Sequence, residues 1–195
     1  MKCMILEREN TIKSLQNNKI ENFFGTNIQE LAFINKINLR INTKNTDYMK
    51  ICGKILNAIL PTKPNTFTKN GNLKIIWLSP DEWLITNEDD NLFSKLKNEI
   101  GDLEASVTDV SESRTIVRLS GEKIYKLLSK FLVLDLEKSL PRESTCAQTL
   151  FAKVPILLLR NHNENQVPEI DIFLNNSHAN YFYSLIIDGS ENLDF

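Results

Sequence analysis

The sequence predicts an α+β protein of two fused lobes, each in the ferredoxin-like β-α-β-β-α-β order. Three observations carry this. Ile37, Leu39 and Ile41 alternate with Asn38, Arg40 and Asn42, the period of a half-buried strand, and Met49, Ile51, Cys52, Ile55, Leu56 and Ile59 then recur at helical spacing. Two strand-like runs, Lys74–Leu78 and Trp83–Thr86, flank the turn Ser79-Pro80-Asp81-Glu82 and read as a hairpin. From Thr115 onward a similar succession of elements begins again.

The elements follow in order. Residues 1–30 are polar and weakly periodic, and they read as an N-terminal arm draped on the surface. Residues 31–195 read as a single domain of two lobes, about 36–110 and 111–190, with no linker between them. Asp47 offers a cap for the first helix and Pro61 stops it. Lys74–Leu78 is apolar on both faces, as in a central strand covered on both sides. Asp89 or Asp90 caps a helix running to Ile100, with Gly101 as its C-terminal cap, and Val107–Val110 is a short strand. In the second lobe Thr115, Val117 and Leu119 alternate, and Gly121 precedes a helix carrying Ile124, Leu127, Leu128 and Phe131. Thr145–Ala152, Val154–Arg160 and Glu169–Leu174 are extended, and Ser177 caps a last helix with Tyr181, Phe182, Leu185 and Ile186 inside. The repeat is visible in element order, with no obvious match between residues.

Composition narrows the function. The 195 residues include 42% hydrophobic and 25% charged, an ordinary globular balance. The net charge of −2 argues against an electrostatic nucleic-acid binder. Cys3, Cys52 and Cys146 are few and far apart, which suits a reducing compartment better than a disulfide or zinc framework. Glu7, Arg8 and Glu9 interrupt any apolar leader, and no apolar run is long enough to span a bilayer, so a cytoplasmic location is expected.

Catalytic constellations are scarce. His162 in a polar loop and His178 at a helix start have no metal partners at ligand spacing and read as surface histidines. The six glycines form no phosphate cradle, and no nucleophile elbow is present. Asp81-Glu82 reads as turn chemistry before it reads as an acid/base pair. Asp109 lies in the apolar strand end VTDV, where a carboxylate needs a partner; Arg114 and Arg118 could form a salt bridge with it, and catalysis is the other reading. Trp77 and Trp83 are core aromatics or partner anchors, and spacing does not decide between them.

Several segments resemble the gamma subunit family of heterotetrameric sarcosine oxidases. They are Leu60-Pro61 to Pro64-Asn65; Trp77 to Leu84, close to that family's W-L-G-P-D-E-W-L with Ser79 in place of Gly; Val107 to Arg114 followed by Leu119-Ser120-Gly121; Leu134-Asp135-Leu136; Cys146 to Thr149; and Ser177-His178-Ala179. That family is similar in turn to the folate-binding region of aminomethyltransferase, the glycine cleavage T-protein, so the resemblance implies an aminomethyltransferase folate-binding-domain-like fold. Asp109-Val110-Ser111 and Gly121 look like the T-protein's D-V-S…G opening. Its folate-serving turn carboxylate has no counterpart in Ala152–Leu157. An aliphatic side chain there can neither take a proton nor steady a cationic amine.

The resemblance implies a subunit without a complete active site of its own, in a complex that oxidatively demethylates sarcosine to glycine and passes the one-carbon unit to tetrahydrofolate. FAD, FMN, NAD, zinc and tetrahydrofolate would sit on the alpha, beta and delta subunits, with none bound by this chain alone. The residues expected in structural or partner contacts are Trp77, Pro80, Asp81, Trp83, Asp109, Ser111 and Arg114. The alternative is a standalone folate-binding aminomethyltransferase-like protein, which would show a deep pocket between the lobes lined by aromatics and one or two carboxylates.

Overall fold

The computed structural model describes residues 9–100, 105–191 and 193. Its elements are β1 (Ile20–Phe23), β2 (Thr26–Glu30), β3 (Asn35–Ile41), α1 (Thr46–Leu56), β4 (Phe67–Asn70), β5 (Leu73–Ser79), β6 (Glu82–Asn87), α2 (Leu92–Ile100) and β7 (Ala105–Asp109). They continue with β8 (Arg114–Ser120), α3 (Ile124–Ser129), α4 (Leu136–Ser139), β9 (Cys146–Phe151), β10 (Val154–Arg160), β11 (Glu169–Asn175) and α5 (Ala179–Ser190). The strands form a five-stranded sheet in the order β4-β5-β6-β3-β7 and a six-stranded sheet in the order β1-β2-β8-β11-β10-β9, all pairs antiparallel.

The two sheets pack face to face, and strand alternation shows why. In β5, Ile75 joins the core under α1 and α2, while its neighbour Ile76 joins an inter-sheet core with Leu84, Ile116, Leu157, Leu159 and Phe173. In β8, Ile116 faces the other sheet, whereas Val117 and Leu119 face α3 and α5. Successive side chains point to opposite faces, and here both faces are buried, giving the layer sequence helix, sheet, sheet, helix. The two-sided apolar character read in Lys74–Leu78 is what such a central strand requires.

The two sheets are near copies. β3, β6, β5 and β4 of one hold the places of β8, β11, β10 and β9 in the other. The second lobe departs from the expected tandem order in one respect. No strand follows α5 among the described residues, and the place that β7 takes beside β3 is filled beside β8 by β2, from the front of the chain. The expected surface-draped arm is therefore corrected over residues 9–30: it supplies a hairpin to the larger sheet, and Ile12, Leu15 and Ile28 are fully buried. Residues 1–8 lie outside the described residues, as does the Gly101 cap.

A residue-level echo of the repeat exists where the sheet edges meet. The Phe67 N–H donates to Ser144 O (3.0 Å) and the Cys146 N–H to Asn65 O (2.9 Å), around a Thr66–Thr145 bridge. Thr66 Oγ1 donates to Lys63 O (2.7 Å) and Thr145 Oγ1 to Arg142 O (2.6 Å), and Asn65 and Ser144 both take positive φ. Leu60-Pro61…Asn65-Thr66 and Leu140-Pro141…Ser144-Thr145 are thus one motif used twice.

Two caps differ from expectation. Asn45, rather than Asp47, caps α1, accepting from the Asp47 and Tyr48 N–H groups, because its side chain sits before the first turn. Asn57 ends α1 in the left-handed region, ahead of Pro61. The α5 cap position holds His178, not Ser177, because a 3-10 turn (Asn176–His178) precedes the helix. Exposed Asp135 accepts from the Lys138 N–H and caps α4.

The N-terminal hairpin is seated against Gly121, where φ is +132° and an added Cβ would stand 2.3 Å from Gly25 O. Gly121→Ala is expected to destabilise the protein by about 3 kcal/mol or more, read by chemical denaturation. A change under about 0.5 kcal/mol would contradict this close approach.

Candidate functional site

The inter-sheet core is apolar at one end and ionic at the other. Asp171 on β11 is 1% exposed. Its cross-strand neighbour Arg118 reaches it with Nε (2.7 Å) and Nη2 (3.0 Å). Lys74 on β5 crosses from the opposite sheet, its Nζ 2.7 Å from Asp171 Oδ2 and 3.2 Å from Asn161 Oδ1. Burial pushes the Asp171 carboxyl up, but the Arg118 hydrogen bonds and the Lys74 and Arg118 charges more than offset that and hold it below the usual carboxylate range. For Arg118 burial works against the charge, and Asp171 and Glu169 outweigh it and raise the guanidinium. A cavity of about 320 Å³ opens beside this cluster, with Thr86, Glu88, Asn161 and Phe173 among its walls.

A second cavity, of about 280 Å³, lies at the other junction of the two lobes, where Glu30, Lys36, Ser111 and Arg114 meet. Glu30 is 2% exposed and accepts from the Thr11 and Ile12 N–H groups (3.0 and 2.8 Å) and from Thr115 Oγ1 (2.5 Å). It therefore fixes the residues leading into the 3-10 turn Lys13–Asn18. Lys36 is 2% exposed, and its Nζ donates to Ile34 O and Ser111 O.

The structure places the sequence-derived candidates in three groups. Trp77 and Trp83 are cross-strand partners facing α1 and α2. Trp83 is fully buried, its Nε1 donating to Pro61 O (2.8 Å), and Trp77 is half-buried with no partner for its buried Nε1 among the described residues. Pro80 and Asp81 form the exposed end of the β5–β6 hairpin. Asp81 accepts from Ser79 Oγ (2.7 Å), which with Arg40 holds its carboxyl below the usual range, so turn chemistry accounts for it.

Asp109, Ser111 and Arg114 line the corner between the sheets. The salt bridge expected between Asp109 and Arg118 is corrected: Arg118 is committed to Asp171, while exposed Asp109 accepts from the Ser111 N–H (2.9 Å) and Oγ (2.6 Å). Arg114 is held down by burial and supported by the charge of Glu82. The buried carboxylate that needs two cations is Asp171. Its signal was the same as that of Asp109, an acid inside an apolar strand (EIDIF), and it went unread.

His162 corrects the surface reading. It is 4% exposed, with Nδ1 accepting from the Glu169 N–H (2.9 Å) and Nε2 3.2 Å from the Tyr125 hydroxyl. Burial pushes its pKa down, with Arg160 adding to the effect. Among the described residues no group of three or more His, Cys, Asp or Glu could hold a metal ion, and no helix is long and apolar enough to cross a membrane. The described cysteines, Cys52 and Cys146, are buried thiols pushed up to about 12 by burial.

Two face-packed antiparallel sheets with helices outside define the class: an α+β fold shared with the aminomethyltransferases of glycine cleavage. The chain is similar to glycine cleavage aminomethyltransferase T from Bartonella henselae, with a TM-score of 0.62 and 12% identity, covering 84% of this chain and 45% of that one. It is similar to a chain of the heterotetrameric sarcosine oxidase from Corynebacterium sp. U-96, solved in complex with pyrrole 2-carboxylate, with a TM-score of 0.80 and 21% identity over 93% of this chain and 92% of that one. In sequence it is 25% identical over 142 residues to the sarcosine oxidase subunit gamma of Corynebacterium sp. (strain U-96), covering 71% of this chain and 68% of the relative. Residues 40–192 match the sarcosine oxidase, gamma subunit family, and the chain belongs to that family.

Two outcomes follow from the buried groups. Asp171→Asn leaves Lys74 without its counter-charge and Arg118 with only the longer contact to Glu169 (3.4 Å), and is expected to cost about 3 kcal/mol in unfolding free energy. A cost below about 1 kcal/mol would mean the cluster does not brace the sheets. Unfolded His162 takes up a proton near its ordinary pKa of about 6.5 while the folded form resists until lower pH. Its contribution to stability is therefore present above about pH 6.5 and lost as pH falls from there toward the depressed folded value. Denaturation midpoints taken from pH 7.5 to pH 5 should fall in the wild type and fall less in His162→Gln; parallel slopes would contradict the assignment.

Proposed function

We propose that this chain acts as the gamma subunit of a heterotetrameric sarcosine oxidase and that it braces the assembly without performing the chemistry. The observation that carries the reading is the family match across residues 40–192. In this reading the partners are the alpha, beta and delta subunits, which hold FAD, FMN, NAD, zinc and tetrahydrofolate, and the complex is cytoplasmic. Sarcosine is demethylated to glycine on those partners, and its one-carbon unit goes to tetrahydrofolate.

The site geometry supports a bracing role. Asp171, the acid buried between the sheets among the described residues, is held by Arg118 and Lys74 and its carboxyl is kept below the usual range, so it has no proton to give. We read residues 152–157, which hold no carboxylate, as the counterpart of the T-protein turn that carries the folate-serving one. The standalone folate reading requires a pocket lined by aromatics and a usable carboxylate. The cavity beside Asp171 has a single aromatic wall residue, Phe173, and Asp171 is already spent on its two cations. We read the first lobe's strand order as ferredoxin-like with β4 added at its edge, and the second as a permuted copy. Trp77, Pro80 and Asp81 at the β5–β6 hairpin, with exposed Ile59 and Val133, are the surfaces we assign to partner contact.

Affinity purification of the tagged chain from its native lysate, under mild salt, tests this. The expected result is stoichiometric recovery of other subunits with a flavin absorbance band. A colourless monomer that binds a folate analogue would overturn the subunit reading.

A further inference from the structure

We propose that Arg114 anchors a subunit interface: in the assembled complex its guanidinium receives the carboxylate of an Asp or Glu side chain from a partner subunit. This rests on the subunit reading given above and names the chemistry that the partner must bring. Arg114 opens β8 and is half-buried. Among the described residues its guanidinium makes no hydrogen bond and no ion pair. The charge that acts on it is Glu82, whose Oε1 is bonded instead to Asn38 Nδ2 at 2.7 Å. A guanidinium does not shed its proton, so this one keeps its charge and its N–H donors with no acceptor from its own chain.

Arg114 lines a half-open cavity of about 140 Å³ whose walls all come from the larger sheet. Pro155, Leu157 and Phe173 make it apolar, Gln148 and Asn175 add uncharged amides, and Arg114 is the one charged wall residue among those described. The volume is well under the roughly 300–1,000 Å³ of pockets that hold cofactors and metabolites, and it suits a single side chain. Arg114 also borders the cavity at the lobe junction, where Glu9, Glu30 and Glu112 stand in the wall. Those like charges turn an incoming carboxylate toward the smaller, acid-free cavity.

The surroundings fit a protein side chain better than a free anion. Pro155 in the cavity wall pairs across the strands with Leu150, which is 53% exposed, so apolar surface runs from the cavity out to solvent. Gln148, also in the wall, donates through Nε2 to Leu78 O at 2.7 Å, which ties the cavity to the β5–β6 hairpin assigned above to partner contact. A free ion would leave that apolar rim uncovered, whereas a partner's acid arrives with the surface that covers it. Arg is among the residues enriched at interface hot spots, where surrounding contacts exclude water from a central anchor. A carboxylate matches its planar fork with two parallel hydrogen bonds.

The test uses the complex purified through the tagged chain, with untagged chain added in excess and subunit exchange followed over time. Arg114→Met should leave the complex at least about tenfold faster than wild type, since truncating one partner of a buried charge pair acts on dissociation. The full chain alone should melt no lower as Arg114→Met than as wild type, because the guanidinium has no partner within it. In the Arg114→Lys complex, carbodiimide should couple the new amine to the partner's carboxylate, giving an amide cross-link mapped to position 114. A lower melting temperature for Arg114→Met, an effect confined to the association rate, or no cross-link from position 114 in the intact Arg114→Lys complex would each overturn the proposal. A wild-type chain that recovers no flavin-bearing subunits would overturn the subunit reading and this proposal with it. Recovery of those subunits with exchange unchanged by Arg114→Met would overturn this proposal alone.

Discussion

Asp171 is an ionised carboxylate with almost no exposed surface, and much of the architecture answers to that constraint. An isolated buried charge costs several kcal/mol unless its partners are close and well aimed. Its partners come from both sheets: Arg118 from the neighbouring strand and Lys74 from the sheet opposite. Sliding or rotating one sheet over the other would strip Lys74 from Asp171. The ion cluster therefore fixes the register of the two layers, and the apolar contacts of Ile76, Leu84, Leu157 and Phe173 supply the bulk of the attraction.

The joined edges complete this closure. At Thr66 and Thr145 the edge strands β4 and β9 exchange backbone hydrogen bonds, so neither presents a fully open edge there. On the opposite side of the larger sheet, the N-terminal hairpin covers β8 where no strand follows α5 among the described residues. Chain ends that are distant in sequence are thereby tied into one body: Glu30 grips Thr11 and Ile12, and Asn180 Nδ2 donates to Thr11 O. A body of this kind suits a member of the sarcosine oxidase gamma subunit family. In it the one described acid of β11 that is fully buried, Asp171, is paired with Arg118 and Lys74.

Much of the fold was legible because strand and helix periods survive in the sequence. Ile37, Leu39 and Ile41 are all buried in β3, and Leu92, Leu96 and Ile100 all face inward from α2. The N-terminal hairpin escaped because its strands are short and polar, and its turn rests on Phe24 and Gly25 at positive φ. The Asn45 cap was missed because Asp47, two residues on, is an equally good cap by type, and only geometry separates them. The functional residues were harder to read. Asp109 and Asp171 carry the same local signal, an acid in an apolar strand, and only the sheet order shows that the first lies on an edge strand and the second on an interior one. His162 sits in a loop of Asn, Glu and Gln that reads as solvated, and the contact with Tyr125 that buries it spans 37 residues.

The account stands on the coupling between Lys74 and Asp171 across the sheet interface. A double-mutant cycle of Lys74→Met and Asp171→Asn, followed by chemical denaturation at low salt, measures it directly. The predicted result is a coupling energy of about 1–3 kcal/mol that persists at moderate ionic strength, as for a buried pair. A coupling near zero, with the two single substitutions simply additive, would contradict the claim that this ion cluster locks the two sheets together.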